Sequence, residues 1–373
     1  MYKYRGCGWK KKLLKQLFNE QINPAFNTDP LFTFSSINND RVNIKSRRYL
    51  GAKTKLLYFI YHAIKDKLND IDTFADIFGG TGVVSYMFQQ LNKKIIINDI
   101  LESNFVCYNA WFGNQKVDIN KIKLLLDELN NLNPIYPNYV SENFGNKYFS
   151  EYNAMKIGLI REKIDTYKVN KREKDILLTS LLYAMDKIAN TTGHYDAYIK
   201  RNIIDKHLFL QLPDLSANNN GNKIFCEDAN QLIRHIKADL VYIDTPYNSR
   251  QYSSAYHLVE NIITWKKPEV EGVASKMVNR KDKNSLYCTK NAFNAFTDLI
   301  ENVHAKYILV SFSNMENKGN ARSNNKITHN QIIDTLKLKG KVTVFESVHN
   351  PYTTGKSKIN NHREILYLCV TKK

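Results

Sequence analysis

The sequence predicts an α/β fold in which one sheet is interrupted by a mainly helical insert. Residues 72–78 (DTFADIF) form the apolar run of a buried strand that ends at a glycine turn. Helical spacing follows at 83–91, and KIIIND (94–99) is a second buried strand. The order strand, turn, helix, strand is typical of a βαβ unit, and the alternation of strands and helices returns after residue 222.

The remaining elements follow from local periodicity. Residues 21–46 show little of it, so 1–46 is interpreted as an extension with a short basic helix at 10–20. The predicted domains are an N-terminal extension (1–46), an α/β domain (47–105 and 223–373) and an insert (106–222). Other predicted helices are 55–68, 119–132, 149–164, 173–190, 229–237, 255–265, 291–303 and 329–338, and other strands are 223–226, 239–244, 306–312, 341–348 and 364–370.

The chain is strongly basic. Its 373 residues include 54 Lys plus Arg against 36 Asp plus Glu, which gives a net charge of +18. A surplus of this size favours a polyanionic partner, because Lys and Arg release counterions from a phosphate backbone. The alternatives at this point are solubility alone, or a coding bias toward Lys and Asn.

Cysteine usage and hydropathy exclude several classes of protein. The five cysteines are scattered without a C-x-x-C pair, so we predict neither a metal site nor a disulfide framework. The basic N-terminus lacks the apolar stretch of a signal peptide. No run approaches the ~18 apolar residues of a membrane helix. We therefore expect a cytoplasmic protein that does not contact a membrane.

The glycine turn DIFGGTG (76–82) lies where a βα unit places a ligand. It lacks the third glycine of a dinucleotide fingerprint and the G-K-[ST] of a nucleoside triphosphate site. Asp99, after the second strand, can accept hydrogen bonds from both hydroxyls of a ribose, and Asp76 can meet a cationic amino group. S-adenosylmethionine has both groups. The alternatives are another kind of nucleotide site, or a tight turn without a ligand.

The segment DLVYIDTPYN (239–248) ends a buried strand in an acid, a proline and an aromatic residue. The adenine amino group is a poor nucleophile because its lone pair is delocalised into the ring, so an enzyme that alkylates it needs hydrogen-bond acceptors there. Asp244 supplies one acceptor and the carbonyl of Thr245 a second. Pro246 fixes the backbone, and Tyr247 offers a face for stacking on an extruded base. The alternative is a strand-terminal acid before an ordinary proline turn.

With these residues in place, the chain resembles the DNA adenine-N6 methyltransferases of the group that contains the Dam-type enzymes. The similarity covers roughly 46–105 and 223–370, and the motifs occur in the order of that group. Two motifs differ slightly: F-G-G-T-G replaces F-A-G-T-G, and D-T-P-Y replaces D-P-P-Y. The resemblance implies these cofactor-binding residues: Tyr49, Gly51, Lys53, Asp76, Phe78, Gly80, Thr81, Gly82, Asp99 and Asp228.

This resemblance also implies a fold and a reaction. The fold is that of the class I S-adenosylmethionine-dependent methyltransferases, with a seven-stranded, mostly parallel sheet, a reversed last hairpin and a target-recognition insert. The reaction is direct methyl transfer from S-adenosylmethionine to a flipped adenine in double-stranded DNA, without a metal. A cognate restriction endonuclease is a possible partner, and the sequence leaves the oligomeric state open.

Two segments carry the predicted DNA contacts. The stretch 190–202 interleaves aromatic and cationic side chains, as a loop that stacks bases and binds phosphates requires, although a solvated connection is the alternative. A second pair follows Tyr247 and could border the space left by a flipped base. The basic stretch 276–290 is interpreted as a loop near the phosphates, or merely a solvated one. The predicted DNA-binding residues are His194, Tyr195, Tyr198, Lys200, Arg201, Arg250 and Tyr252.

Other functions remain open from the sequence alone. The same chemistry could act on cytosine N4 in DNA, on adenine in RNA, or on a glutamine side chain. A rival of another class is a nucleic-acid-binding protein that keeps the fold but not the activity. The presence of Asp76, Asp99, Asp244 and Tyr247 argues against that rival.

Overall fold

The computed structural model describes five ranges of the chain: 41–200, 203–215, 219–314, 324–348 and 363–372. All of them belong to one compact unit, Asn39–Lys373. The helix predicted at 10–20, and most of the extension predicted at 1–46, lie outside these ranges.

Seven strands form the main sheet. In chain order they are β1 (Thr73–Asp76), β2 (Lys94–Asn98), β3 (Lys223–Phe225), β4 (Leu240–Ile243), β5 (Tyr307–Ser313), β6 (Gly340–Val348) and β7 (Arg363–Thr371). Their spatial order is β6-β7-β5-β4-β1-β2-β3. The pairs among β1 to β5 are parallel, whereas β7 is antiparallel to both β5 and β6. This arrangement confirms the predicted class I methyltransferase sheet with its reversed last hairpin.

Helices connect and cover these strands. In the described ranges they are α1 (Leu57–Ile64), α2 (Val83–Gln90), α3 (Glu102–Phe112), α4 (Ile119–Asn130), α5 (Tyr139–Phe144), α6 (Glu151–Thr166), α7 (Lys171–Ile188), α8 (Ala229–Leu232), α9 (Tyr252–Ala255), α10 (His257–Thr264), α11 (Ala292–Glu301) and α12 (His329–Lys339). None of these described helices is both long and apolar enough to cross a bilayer.

Three of the predicted helices are shorter than expected. The helix predicted at 55–68 is α1, which lies between two 3₁₀ helices. The helix predicted at 229–237 is the single turn α8, after which the chain continues in turns. The helix predicted at 255–265 is α10, and Tyr256, with a φ of −119° and a ψ of 19°, separates it from the preceding single turn α9. Apolar periodicity marks the buried face of such a segment, but it does not register a local break in the backbone.

The centre of the sheet is buried on both faces, as its apolar strands require, whereas the edge strand β6 is largely exposed. Every residue of β4 is buried, and one face packs on apolar side chains that include Phe296 of α11 and Ile332 of α12. On the other face, the ring of Phe74 stacks on that of Phe88 in α2 with centroids 3.7 Å apart. Because the central strands are parallel, their carboxyl ends meet at one edge and bring Asp76, Asp99 and Asp244 to the same side.

Five helices, α3 to α7, lie between β2 and β3 in the sequence. Arg161 ties α6 to the carboxyl end of α10. Its buried guanidinium donates to the carbonyls of Ile262 (2.8 Å) and Ile263 (3.1 Å) and pairs with Asp165 at 2.7 Å. The same group lies over the ring of Trp265 at 5.3 Å. These bonds satisfy carbonyls that a helix end leaves without intrahelical partners.

Replacing this arginine should therefore destabilise the fold. We expect Arg161→Met to lower the free energy of unfolding by about 2–4 kcal/mol, because hydrogen bonds from a charged donor are lost and buried carbonyls keep no partner. Chemical denaturation measures the change. Lys163→Met is the control and should change the unfolding energy far less, because Lys163 and its partner Glu128 are both exposed. Equal effects of the two variants would contradict this role of Arg161.

Candidate active site

One cavity of about 650 Å³ opens at the carboxyl ends of β1, β2 and β4. Gly82 is the one predicted cofactor residue that does not line this cavity. It is buried and precedes α2 with a φ of +79°. All predicted catalytic residues and nine predicted cofactor residues line the cavity: Tyr49, Gly51, Lys53, Asp76, Phe78, Gly80, Thr81, Asp99, Asp228, Asp244, Thr245, Pro246 and Tyr247. Residues as far apart in the sequence as Tyr49 and Tyr247 thus line one cavity.

Asp244 forms an ion pair with Lys53 at the floor of this cavity. Lys53 Nζ lies 2.8 Å from Asp244 Oδ2, and the two side chains are only 8 % and 16 % exposed. The other oxygen, Oδ1, is buried and has no hydrogen-bond partner among the described residues. Burial raises the pKa of the Asp244 carboxyl, and the ammonium of Lys53 opposes this shift. The arrangement leaves one carboxylate oxygen available to a donor that enters the cavity.

Asp76 is the most deeply buried acid of the site, with 1 % exposure. Its Oδ2 accepts a hydrogen bond from the hydroxyl of Ser85 (3.1 Å), while Oδ1 has no partner among the described residues. Burial raises the pKa of this carboxyl to about 8. A cation beside Oδ1 would stabilise the ionised form and satisfy the remaining oxygen.

Asp99 holds the glycine turn from the neighbouring strand. Its Oδ2 accepts the N–H of Gly80 (3.1 Å) and its Oδ1 the N–H of Leu101 (2.9 Å). Each carboxylate oxygen can accept a further hydrogen bond. A Cβ at Gly79 would lie 2.7 Å from the hydroxyl of Tyr108, so glycine is required for this close approach. The turn and the acid therefore form one rigid wall of the cavity.

Two tyrosines hold the N-terminal motif, which is RRYLGAKTKLL at residues 47–57, against the segment that follows D-T-P-Y. The hydroxyl of Tyr256 accepts the N–H of Leu50 (2.6 Å), and the hydroxyl of Tyr252 donates to its carbonyl (3.2 Å). The ring of Tyr49 stacks on Tyr256 with centroids 4.4 Å apart. Tyr252, predicted to border a flipped base, lines the cavity, but its hydroxyl is engaged by Leu50.

Tyr247 faces the cavity from the other end of the motif. Its ring packs against Phe312 with centroids 5.7 Å apart at 60°, and its backbone carbonyl accepts the N–H of Lys326 (2.9 Å). Burial raises the pKa of its phenol to about 12, so the hydroxyl is neutral at physiological pH. Thr245 is buried beside it, and its hydroxyl has no partner among the described residues.

Of the other predicted DNA-binding residues, those that the structure describes are not part of the cavity lining. Lys200 and Arg250 are exposed, His194 and Tyr198 are more buried, and Arg201 lies outside the described residues. Tyr195 differs from its prediction as a DNA contact. Its side chain is buried, with 2 % exposure, and its hydroxyl donates to Asp186 at 2.7 Å. It is a packing residue because neither its ring nor its hydroxyl reaches a surface.

Sequence reasoning missed several residues around the site. The segment 282–287 lines the cavity, and Lys283 within it pairs with Glu260. Glu364 of β7 lies in the electrostatic environment of Lys53, and burial raises its pKa to about 7. No spacing connects these residues to a motif. Tyr256 was also missed, and its position four residues after the predicted Tyr252 is the usable signal, because one helical turn brings the two rings to 6.0 Å.

Comparison with known proteins assigns the chain to a family. The family described as D12 class N6 adenine-specific DNA methyltransferase matches residues 49–321. The modification methylase StsI of Streptococcus sanguinis is 37 % identical over 292 residues, which are 72 % of this chain and 44 % of that protein. The type II methyltransferase M.FokI of Planomicrobium okeanokoites is 32 % identical over 83 % of this chain and 50 % of its own length.

The chain thus spans about half the length of these two relatives. A further similar protein is the type II methyltransferase M.NlaIII of Neisseria lactamica, with 30 % identity over 84 % of this chain and 95 % of that one. The family match covers the glycine turn, the acid after β2 and the D-T-P-Y segment, whose residues line the one cavity described above. The chain belongs to the D12 class of N6 adenine-specific DNA methyltransferases.

Proposed function

We propose that this chain transfers a methyl group from S-adenosylmethionine to the exocyclic amino group, N6, of adenine in double-stranded DNA. The observation that carries the proposal is the state of Asp244. One of its oxygens is held by Lys53, and the other is buried at the cavity and has no hydrogen-bond partner in the part of the chain that the structure describes. A buried unsatisfied carboxylate oxygen is costly, and a neutral amino donor from a ligand would satisfy it.

Asp244 would act on the amino group by hydrogen bonding. When Oδ1 accepts one N–H of the adenine amino group, and the carbonyl of Thr245 the other, the nitrogen lone pair is less delocalised and can attack a methyl group. Lys53 favours the ionised form of Asp244, which is the stronger acceptor. Because the pair is buried, these fixed charges act in a site of low dielectric, where preorganised acceptors contribute most to rate. Tyr247 would stack on the extruded base.

The residues around the glycine turn suit S-adenosylmethionine, which when bound supplies an activated methyl group on a sulfonium. Oδ1 of Asp76, which has no hydrogen-bond partner within the described ranges, suits its ammonium, and the remaining acceptor capacity of Asp99 suits the two ribose hydroxyls. Asp228 accepts the N–H groups of Asn230 and Gln231 through Oδ1, which leaves Oδ2 for an amino group of the nucleobase. The other predicted cofactor residues lie around these acids in the same cavity, apart from Gly82.

DNA binding and biological context are part of the same proposal. The net charge of +18 and the exposed Lys200 and Arg250 support a phosphate backbone as partner. In the stretch 190–202, His194, Tyr198 and Arg201 remain proposed DNA contacts. The relatives' names, modification methylase and type II methyltransferase, support a role in restriction and modification with a cognate endonuclease.

Replacing Asp244 should separate catalysis from binding. We expect Asp244→Asn to lower kcat by at least about 100-fold, because the side chain keeps its shape but loses the charge that strengthens the acceptor. The cofactor Kd should change by less than about threefold, since the residue acts on the base. Methyl transfer to duplex DNA under saturating conditions gives kcat, and calorimetry gives Kd. A kcat near the wild-type value would show that the reacting amino group lies elsewhere.

Cofactor binding should release a proton from Asp76. Burial raises the pKa of this carboxyl to about 8, so in the ligand-free protein it is mostly protonated at pH 7. An ammonium beside it favours the ionised form. We therefore expect affinity for S-adenosylhomocysteine to rise between about pH 6 and pH 8, with release of up to about one proton at pH 7.

Calorimetry in two buffers of different ionisation enthalpy counts these protons. Asp76→Asn is the matched control, since it cannot titrate, and should bind more weakly and release fewer protons than the wild type. If the variant releases as many protons as the wild type, Asp76 does not face the ammonium.

A further inference from the structure

The segment 282–287 forms a wall of the active-site cavity that no motif predicts. All six of its residues line the cavity, together with the acids at the ends of the strands. Its sequence, DKNSLY, lies within the basic stretch that the sequence analysis interpreted as a loop near DNA phosphates. Its contacts indicate a different role.

Lys283 anchors this segment by an ion pair. Its Nζ lies 3.1 Å from Glu260 Oε2 and 3.4 Å from Glu102 Oε1. The Glu260 carboxylate is buried and also accepts the N–H groups of Glu102 (3.1 Å) and Ser103 (2.7 Å), the first residues of α3. Since α3 begins directly beyond the Asp99 turn, Lys283 connects the wall to the side of the cavity that would hold the ribose. Its ammonium is already neutralised and is poorly suited to a phosphate.

A second set of bonds fixes the segment from the side of the catalytic motif. The side-chain amide of Gln251 donates to the carbonyl of Ser285 (3.1 Å) and accepts its N–H (2.8 Å). The hydroxyl of Ser253 donates to Asn284 Oδ1 (2.8 Å). With Lys283, these bonds hold the backbone of the wall at two independent points.

The wall presents an apolar side chain to the cavity. Leu286 is 54 % exposed, although it lines the cavity. The adjacent Tyr287 packs edge-on against Phe78 of the glycine turn, with centroids 5.2 Å apart. Asp228 and Asn230 line the same cavity with polar groups. An exposed apolar side chain near aromatic rings, with polar groups at its border, suits a planar heterocycle.

We propose that segment 282–287 is a further part of the cofactor site, in which Leu286 contacts the nucleobase of S-adenosylmethionine and Lys283 positions the segment. The inference rests on the proposed function, because it assumes that this cofactor occupies the cavity. It assigns Lys283 to the cofactor pocket rather than to DNA.

Binding of two cofactor analogues to the full-length chain tests this. S-adenosylhomocysteine contains the complete adenosine and amino-acid parts, whereas 5′-methylthioadenosine lacks the amino-acid part. Lys283→Met and Leu286→Ser should each raise the Kd of both ligands by a similar factor, about tenfold, because the affected contact is to the adenosine they share. Lys283→Arg, which keeps the ion pair, should restore most of the affinity. Lys290→Met, an exposed lysine nearby, is the control and should bind both ligands as the wild type does.

Three results would overturn the inference. One is unchanged affinity for both ligands in Leu286→Ser, which does not disturb the ion pair of Lys283 with Glu260. Another is unchanged affinity in Lys283→Met together with a salt dependence of DNA binding reduced by about one phosphate contact, which would make Lys283 a DNA residue. The third is a wild-type protein that binds neither ligand. That result would overturn the proposed function as well, whereas the first two leave it intact.

Discussion

The ion pair of Lys53 and Asp244 is the interaction on which the active site depends. Removing two charges from water is costly, and a buried pair persists only where both partners are held in place. Asp244 is held because it follows a fully buried strand of the sheet. Lys53 is held because the tyrosines after the D-T-P-Y segment bind both backbone polar groups of Leu50. The N-terminal motif therefore completes a site whose other residues come from the sheet.

The cavity contains more acidic side chains than the ion pair of Lys53 and Asp244 neutralises. Asp76, Asp99 and Asp244 line the same space, and Lys53 neutralises only Asp244 directly. Burial raises the pKa of all three carboxyls, since ionised acids in one apolar cavity are unfavourable without cations. The positively charged cofactor that we propose would supply this compensation. Because burial keeps Asp76 mostly protonated at pH 7, this carboxyl can remain in the cavity although its Oδ1 has no hydrogen-bond partner among the described residues.

Much of this could be predicted from the sequence, and the rest had physical reasons for remaining hidden. Parallel strands bring their carboxyl ends together, so acids that follow β1, β2 and β4 had to converge. The pairing of Lys53 with Asp244 was not predictable, because it depends on how a loop folds over the sheet edge. Burial of Tyr195 against Asp186 and the pairing of Lys283 with Glu260 likewise arise from helix packing. The composition of 190–202 and 276–290 identified both segments as polar and basic, but it could not show which of their side chains already had partners.

We propose that adenine N6 in duplex DNA receives the methyl group, and the identity of the methylated nucleoside is the most direct test. The purified chain would be incubated with methyl-labelled S-adenosylmethionine and unmethylated duplex DNA of mixed sequence, and the DNA then digested to nucleosides and separated. If adenine N6 is the acceptor, the label elutes with N6-methyldeoxyadenosine. Label in N4-methyldeoxycytidine, or label that enters RNA or protein but not duplex DNA, would contradict it.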